Sequence, residues 1–198
     1  VHTSIPDEGI NAIDKMMTVI DVLNKIEFKH VPHPMLGKST IAFTTIQGGS
    51  VHNATAGHCR ATFDVRLVPG MTVAGVMEEI QVVLDGMMEN DKDLKVKLDI
   101  LPFSSGREPM ETPGDAKVVL CAAEAHEEVD GKPVVFAGGI ESPGAIGLFN
   151  NVGIPGVHYG PGYIKHAHLP NEFVEIYRVP NMAKIYALTA IKFCGVKE

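Results

Sequence analysis

Apolar residues recur at spacings of three and four through Ile10, Ile13, Met16, Met17, Ile20, Leu23 and Ile26. That period predicts an amphipathic helix over residues 9–26, behind a Pro6-Asp7 start signal. After a Pro-containing connection at 31–34, residues 39–47 are rich in Ile, Phe and Thr and run into Gly48-Gly49, the pattern of a strand and a turn. Ala61, Phe63, Val65 and Leu67 then alternate with Arg60, Thr62, Asp64 and Arg66, the period of a strand with one covered face, and Pro69-Gly70 ends it. Val73, Val76, Ile80, Val83, Leu84 and Met87 define a second helix. Leu94, Val96, Leu98 and Ile100 alternate with Lys95, Lys97 and Asp99 as a further strand. The order is αββαβ. One strand before Val1 would complete βαββαβ, the split ferredoxin-like unit in which two helices cover one face of a four-stranded sheet.

The texture changes after Pro102. A loop rich in Ser, Gly and Pro (104–114) leads into a predicted helix at 115–128 and a short apolar strand at 134–137. A loop opened by Gly138-Gly139 follows, then a helix around 145–151, a second short strand at 154–159 and a long C-terminal helix at 172–193. Helices alternating with short apolar strands predict parallel α/β structure. The expected division is therefore 1–103 and 104–198. The sequence holds no internal repeat and no low-complexity tract.

Composition narrows the function. The chain has 198 residues, 45% of them hydrophobic, enough for a buried core in one ordinary domain or two small ones. Its net charge of -7 arises from dispersed Asp and Glu, with no basic run to track a phosphate backbone, so nucleic acid is not an expected partner. No apolar run approaches the ~20 residues of a membrane span, and no signal-peptide pattern opens the chain; no membrane role is expected. Cys59, Cys121 and Cys194 lie far apart without zinc or redox spacing, which fits a reducing cytoplasm. The start at Val1, ahead of His-Thr-Ser-Ile-Pro with no preceding element, reads as an internal fragment, with processing or trimming as the plain alternative.

The segment 153–162, Gly-Ile-Pro-Gly-Val-His-Tyr-Gly-Pro-Gly, followed by Ala167-His168-Leu169-Pro170-Asn171-Glu172, places a histidine on a loop beyond a predicted strand. Active-site residues collect at such strand ends, and neutral imidazole is a common zinc ligand. Taken alone, a single loop histidine is an ordinary surface residue. Glu172 is near enough in sequence to orient it or to cap the following helix.

This segment resembles the C-terminal signature of the M20 family of zinc aminoacylases, deacetylases, desuccinylases and carboxypeptidases. Four further stretches are similar to that family in order: His2-Thr3-Ser4-Ile5-Pro6 with Gly9-Ile10-Asn11-Ala12-Ile13; Gly48-Gly49, Asn53 and Asp64-Val65-Arg66; Ser105-Gly106-Arg107-Glu108-Pro109; and Gly138-Gly139-Ile140-Glu141-Ser142. The resemblance spans nearly the whole chain. It implies a ferredoxin-like dimerisation lid followed by the C-terminal part of a zinc-peptidase-like α/β/α domain, and a homodimer formed through the lid.

The resemblance also assigns roles. His168 matches the last metal ligand of a two-zinc site, where cobalt or manganese are alternatives to zinc. His2 matches a lid histidine that crosses the dimer to polarise the scissile carbonyl, and Asn53 a second lid residue there, although Asn beside Gly48-Gly49 is also an ordinary turn former. Arg107 matches the arginine that binds the substrate carboxylate, for which a planar guanidinium is suited, and Gly138 and Gly139 match the substrate-side loop. The remaining ligands and the general base belong to an upstream half, so this chain alone is expected to be inactive. Glu141 departs from the Thr-Asp or Ser-Asp of many relatives and either replaces that acid one residue early or faces water. Asp64 and Arg66 read as structural, His158 as lining the site wall, and His166 has no counterpart.

Two functions follow. One is a fragment of a metal-dependent hydrolase cleaving the amide of an N-acyl amino acid or small peptide with a free carboxylate. The alternative is a non-catalytic dimerisation or small-molecule-binding module. A zinc peptidase without an inserted lid is disfavoured by the αββαβ stretch.

Overall fold

The computed structural model describes residues 1–102, 108–136, 144–150, 152–167 and 169–196. These divide into two compact units, Val1–Pro109 and the part from Met110 onward.

In the first unit, helix α1 (Ala12–Leu23) starts later than periodicity alone predicts. Pro6–Glu8 form a separate 3-10 turn, and the Asn11 side chain accepts a hydrogen bond from the Ile13 N–H at 3.1 Å, capping α1 at its first turn. Strands β1 (Thr40–Gly48) and β2 (Cys59–Arg66) pair antiparallel, with Phe43 opposite Phe63 and their rings 5.2 Å apart. The register shifts between Phe43 and Thr45, so Thr44 is the extra residue of a bulge. Thr44 and Thr45 both reach the Thr62 hydroxyl, at 3.0 and 2.5 Å. Helix α2 (Val73–Asn90) is capped by Thr72, whose hydroxyl accepts from the Gly75 N–H.

The stripe of each helix faces one core. Val19 and Leu23 of α1 join Val76, Ile80 and Leu84 of α2, with Phe28, Val68, Met71 and Leu94 from the connections. Ile41, Phe43, Phe63 and Val65 pack on it from the sheet and Leu67 from just beyond β2, continuing the alternation read there. Lys15 and Asp91 are tied at 2.5 Å, and that bond holds the Asp91 carboxyl below the usual carboxylate range.

The segment 94–100 differs from expectation. Leu94, Val96 and Leu98 turn toward the core while Lys95, Lys97 and Asp99 are exposed, yet the segment joins no ladder, and the sheet of the described residues has two strands. A period of two reports one covered face; it does not report a hydrogen-bonded neighbour. In a split βαββαβ sheet the neighbour of the last strand is the first one, and the described residues hold no strand ahead of α1.

In the second unit, α3 (Lys117–Asp130) packs along α5 (Arg178–Cys194). Val119, Cys121 and Ala125 of α3 and Met182 and Ile185 of α5 are buried. Lys192 reaches Glu128 at 2.6 Å and Glu124 at 3.3 Å, which raises its pKa, the Glu128 bond contributing most. A short helix α4 (Gly144–Asn150) lies between them in sequence. Helix α5 begins at Arg178 where periodicity predicts 172. A start at Glu172 would put Pro180 in the helix interior without an N–H to donate, whereas from Arg178 it sits in the tolerant first turn. The predicted strands at 134–137 and 154–159 are without ladder bonds over their described residues.

Candidate functional site

Of the residues given a catalytic, binding or metal role from sequence, the described structure brings two together, His2 and Asn53. The chain from Val1 to Thr3 runs against Asn53 to Thr55: His2 and Ala54 form an antiparallel bridge, the Thr3 N–H donates to the Asn53 carbonyl at 3.2 Å, and the Thr55 N–H donates to the Val1 carbonyl at 2.9 Å. His2 and Asn53 are both exposed. The His2 ring is held locally, since the Ser4 N–H donates to its Nδ1 at 3.1 Å and the Ser4 hydroxyl lies 2.8 Å from the same atom. An Nδ1 that accepts a backbone N–H carries a lone pair, so the neutral ring bears its proton on Nε2. The outer edge of His2 is therefore a hydrogen-bond donor.

The Gly48-Gly49 pair shapes the loop 49–58 that presents Asn53. A Cβ on Gly48 would lie 2.8 Å from Ile13 Cγ1 and 2.9 Å from Cys59 Sγ, so a side chain there would push the strand end off the first turn of α1. Gly49 has φ +73°, the left-handed region that favours glycine. Between this loop and the start of α1 lies a concavity of about 540 Å³ lined by Thr3, Asn11, Ile13, Ser50, His52 and Thr55, among others. Among the described residues no Asp, Glu, Lys or Arg lines it. His52, which sequence reasoning passed over, stands in its wall with no side-chain hydrogen bond or ion pair among the described residues. Its place between Gly48-Gly49 and Asn53 was the available signal.

Arg107, Gly138, Gly139, Glu141 and His168 lie outside the described residues. Asp64 and Arg66 pair with each other at 2.6 Å along β2. His158 is exposed. His166 is more enclosed than its sequence context indicated: its ring packs edge-on to Tyr163 and tilted on Phe173, and its Nδ1 is buried without a hydrogen-bond partner among the described residues. Arg178 stacks over the Tyr163 ring at 4.4 Å and bonds Glu175.

The second unit also holds a polar cluster that sequence reasoning missed. The Tyr159 hydroxyl and His126 Nδ1 are hydrogen-bonded, Asp130 lies 3.6 Å from the same nitrogen, and Asn181 donates to Asp130 at 3.1 Å. Burial first, and the negative charge of Asp130 second, raise the pKa of Tyr159, so its hydroxyl stays a donor. Tyr186 donates to the Tyr159 carbonyl at 2.6 Å, anchoring the residue that precedes Gly160-Pro161-Gly162. The His126–Asp130 spacing is legible in a helix, but Tyr159 is remote in sequence.

Among the described residues no group of three or more His, Cys, Asp or Glu could hold a metal ion, so they do not by themselves form a metal centre. No helix among them is long and apolar enough to cross a membrane.

Residues 1–92 match the family model of the peptidase dimerisation domain of M20 proteins. The chain is 25% identical to an acetylornithine deacetylase of Myxococcus xanthus, over 98% of this chain and 50% of the relative. It is 29% identical to the acetylornithine deacetylase of Buchnera aphidicola from Acyrthosiphon pisum, over 98% of this chain and 49% of the relative. It is 27% identical to N-formyl-4-amino-5-aminomethyl-2-methylpyrimidine deformylase of Bacillus subtilis, over 100% of this chain and 50% of the relative. The fold is similar to that in the crystal structure of an M20 family metallo-carboxypeptidase from Sulfolobus solfataricus, with a TM-score of 0.61 at 20% identity, covering 96% of this chain and 43% of that one. The mixed α/β fold of the first unit is thus that of an M20 dimerisation domain. Residues 1–92 carry the M20 peptidase dimerisation domain, and the matches together support an M20 family metallopeptidase, C-terminal part, as what the whole chain is similar to. It spans about half the length of the curated relatives it matches.

Proposed function

We propose that this chain is the lid and C-terminal portion of a hydrolase that cleaves the amide bond of an N-acyl amino acid, or of a small peptide with a free carboxylate. The observation that carries the reading is the state of His2: with Nδ1 occupied by Ser4, the ring offers Nε2–H outward, as a group that stabilises a carbonyl oxygen gaining negative charge must. Asn53, brought alongside by the 1–3 and 53–55 pairing, is a second polar group at the same place. In the reaction, water adds to the carbonyl carbon, the C–N bond breaks, and the amine leaves with a proton while His2 holds the oxygen.

Under this reading the protein is a homodimer in which His2 serves the partner's active site, Arg107 binds the substrate carboxylate, and Gly138 and Gly139 line the substrate. His168 supplies one ligand to a divalent metal, zinc before cobalt or manganese; the other ligands and the general base lie on sequence outside this chain. When bound, such a metal lowers the pKa of its water. Free Cys59, Cys121 and Cys194 accord with a cytoplasmic location. A non-catalytic dimerisation module is the competing function, supported by the match of residues 1–92 to a domain defined by dimerisation.

The test is hydrolysis of N-acetyl amino acids by the full-length protein, with and without zinc, beside the same assay on residues 1–198. Zinc-dependent turnover by the former and none by the latter is expected. Turnover by neither would favour the dimerisation module.

A further inference from the structure

We infer that His126 is a proton-operated latch on the loop that Tyr159 opens: unprotonated it accepts the Tyr159 hydroxyl and holds the loop to α3, and protonated it turns to Asp130 and lets the loop go. The latch stands on the packing of the second unit, independent of the hydrolase reading.

One ring nitrogen has two oxygens within reach. His126 Nδ1 is hydrogen-bonded to the Tyr159 hydroxyl, and Asp130 Oδ2 lies 3.6 Å from the same atom, one turn further along α3. Asn181 of α5 donates to the other carboxylate oxygen, Oδ1, at 3.1 Å, which leaves Oδ2 facing the ring. A lone pair on Nδ1 takes the phenol proton. An N–H on Nδ1 cannot, and of the two oxygens before it the carboxylate is the stronger acceptor. Burial and the charge of Asp130 keep the phenol protonated, so Tyr159 does not itself supply the anion that would hold a protonated ring.

The surroundings let the exchange occur. The His126 side chain is 18% exposed, open to protons from solvent, and it sits in the last turn of α3, where the helix dipole favours a cation. The titratable groups at the cluster are Asp130 of the same helix, Tyr159, and Tyr186 of α5. Lys192 of α5 is engaged by Glu124 and Glu128. Because the Tyr159 carbonyl also accepts from Tyr186, losing the His126 bond loosens the loop at Gly160-Pro161-Gly162 without unfolding the helix pair. Imidazole ordinarily changes charge between about pH 5 and 8, so the latch works near neutrality. Under the hydrolase reading this loop leads in sequence to His168, and acid would slacken the chain ahead of that residue.

Hydrogen exchange of residues 160–166 in the full-length protein, expressed as protection factors from about pH 8 down to about pH 5, tests the latch. Wild-type protection is expected to fall by about fivefold on acidification, the loss of one hydrogen bond. Tyr159→Phe, which removes only the hydroxyl, should show the low value throughout. His126→Asn places a non-titrating acceptor near the position of Nδ1 and should keep protection flat with pH. Asp130→Asn removes the anion that favours the protonated ring, so the midpoint should move to more acid pH, a shift that a merely structural role would not produce. The latch is overturned by wild-type protection that does not change with pH, by a step that persists in Tyr159→Phe or His126→Asn, or by a midpoint unmoved in Asp130→Asn.

Discussion

The two units of this chain contain helices of similar length but differ in how far each encloses its own apolar surface. The first unit closes a core of Val19, Leu23, Phe28, Val68, Met71, Val76, Ile80, Leu84 and Leu94 between two helices and a hairpin. The second buries Val119, Cys121, Ala125, Met182 and Ile185 along one helix pair, and leaves Val135 86%, Ile176 87% and Leu148 68% exposed. A helix stripe buries itself wherever a second helix is available; short apolar strands need a sheet, and segments 134–136 and 154–159 have no ladder here. Among the described residues the first unit encloses more of its apolar surface than the second.

The largest expected effect comes from separating the units. Residues 1–109 alone should unfold cooperatively, whereas residues 110–198 should bind a hydrophobic dye and associate in a concentration-dependent way, because large exposed apolar patches drive association. A clean monomer of the second piece in a sedimentation run would contradict the comparison.

A matched pair of substitutions sharpens it. Ile80 and Ile185 are each 1% exposed, one in each unit. Ile80→Ala should destabilise by about 3–4 kcal/mol and Ile185→Ala by about 2 kcal/mol, because the thinner two-helix core can collapse into the space left behind. Denaturant midpoints of the whole chain read both. Next comes Gly48→Ala, which forces Ile13 and Cys59 away from the strand end and should destabilise by about 1–3 kcal/mol. Its thermal shift should exceed that of Gly57→Ala, where a Cβ meets nothing.

The smallest effect is at the Lys15–Asp91 pair on the surface of the first unit. The folded pKa of Asp91 is depressed, so its contribution is present at neutral pH and is lost as pH falls below about 3.8 and through the depressed value. Asp91→Asn should flatten that part of the stability profile, and salt should shrink the difference.

Much of this fold was legible from residue spacing. The stripes of α1 and α2 and the alternation of β2 predict both the elements and the faces they bury. Element ends were less legible, because they depend on single residues: the Asn11 cap trims α1, and Pro180 delays α5. Segment 94–100 shows the limit of periodicity, which sees the covered face of a strand but not its neighbour. Site chemistry divides in the same way. His2 and Asn53 were nameable as residue types in a pattern, but their pairing across 51 positions, the tautomer fixed by Ser4, and the hollow that includes His52 are products of folding. The Tyr159–His126–Asp130 cluster likewise needs the segment that carries Tyr159 to lie against α3 before it exists.

The central claim is that the lid of one subunit completes the active site of another, and mixing two inactive variants tests it most directly. Full-length His2→Ala and His168→Ala proteins, each expected to lose most activity, should on unfolding and refolding together recover about a quarter of wild-type activity, since random pairing makes half the dimers mixed and each mixed dimer has one intact site. No recovery, with mixed dimers present, would contradict the account and place His2 either in its own subunit's site or outside catalysis.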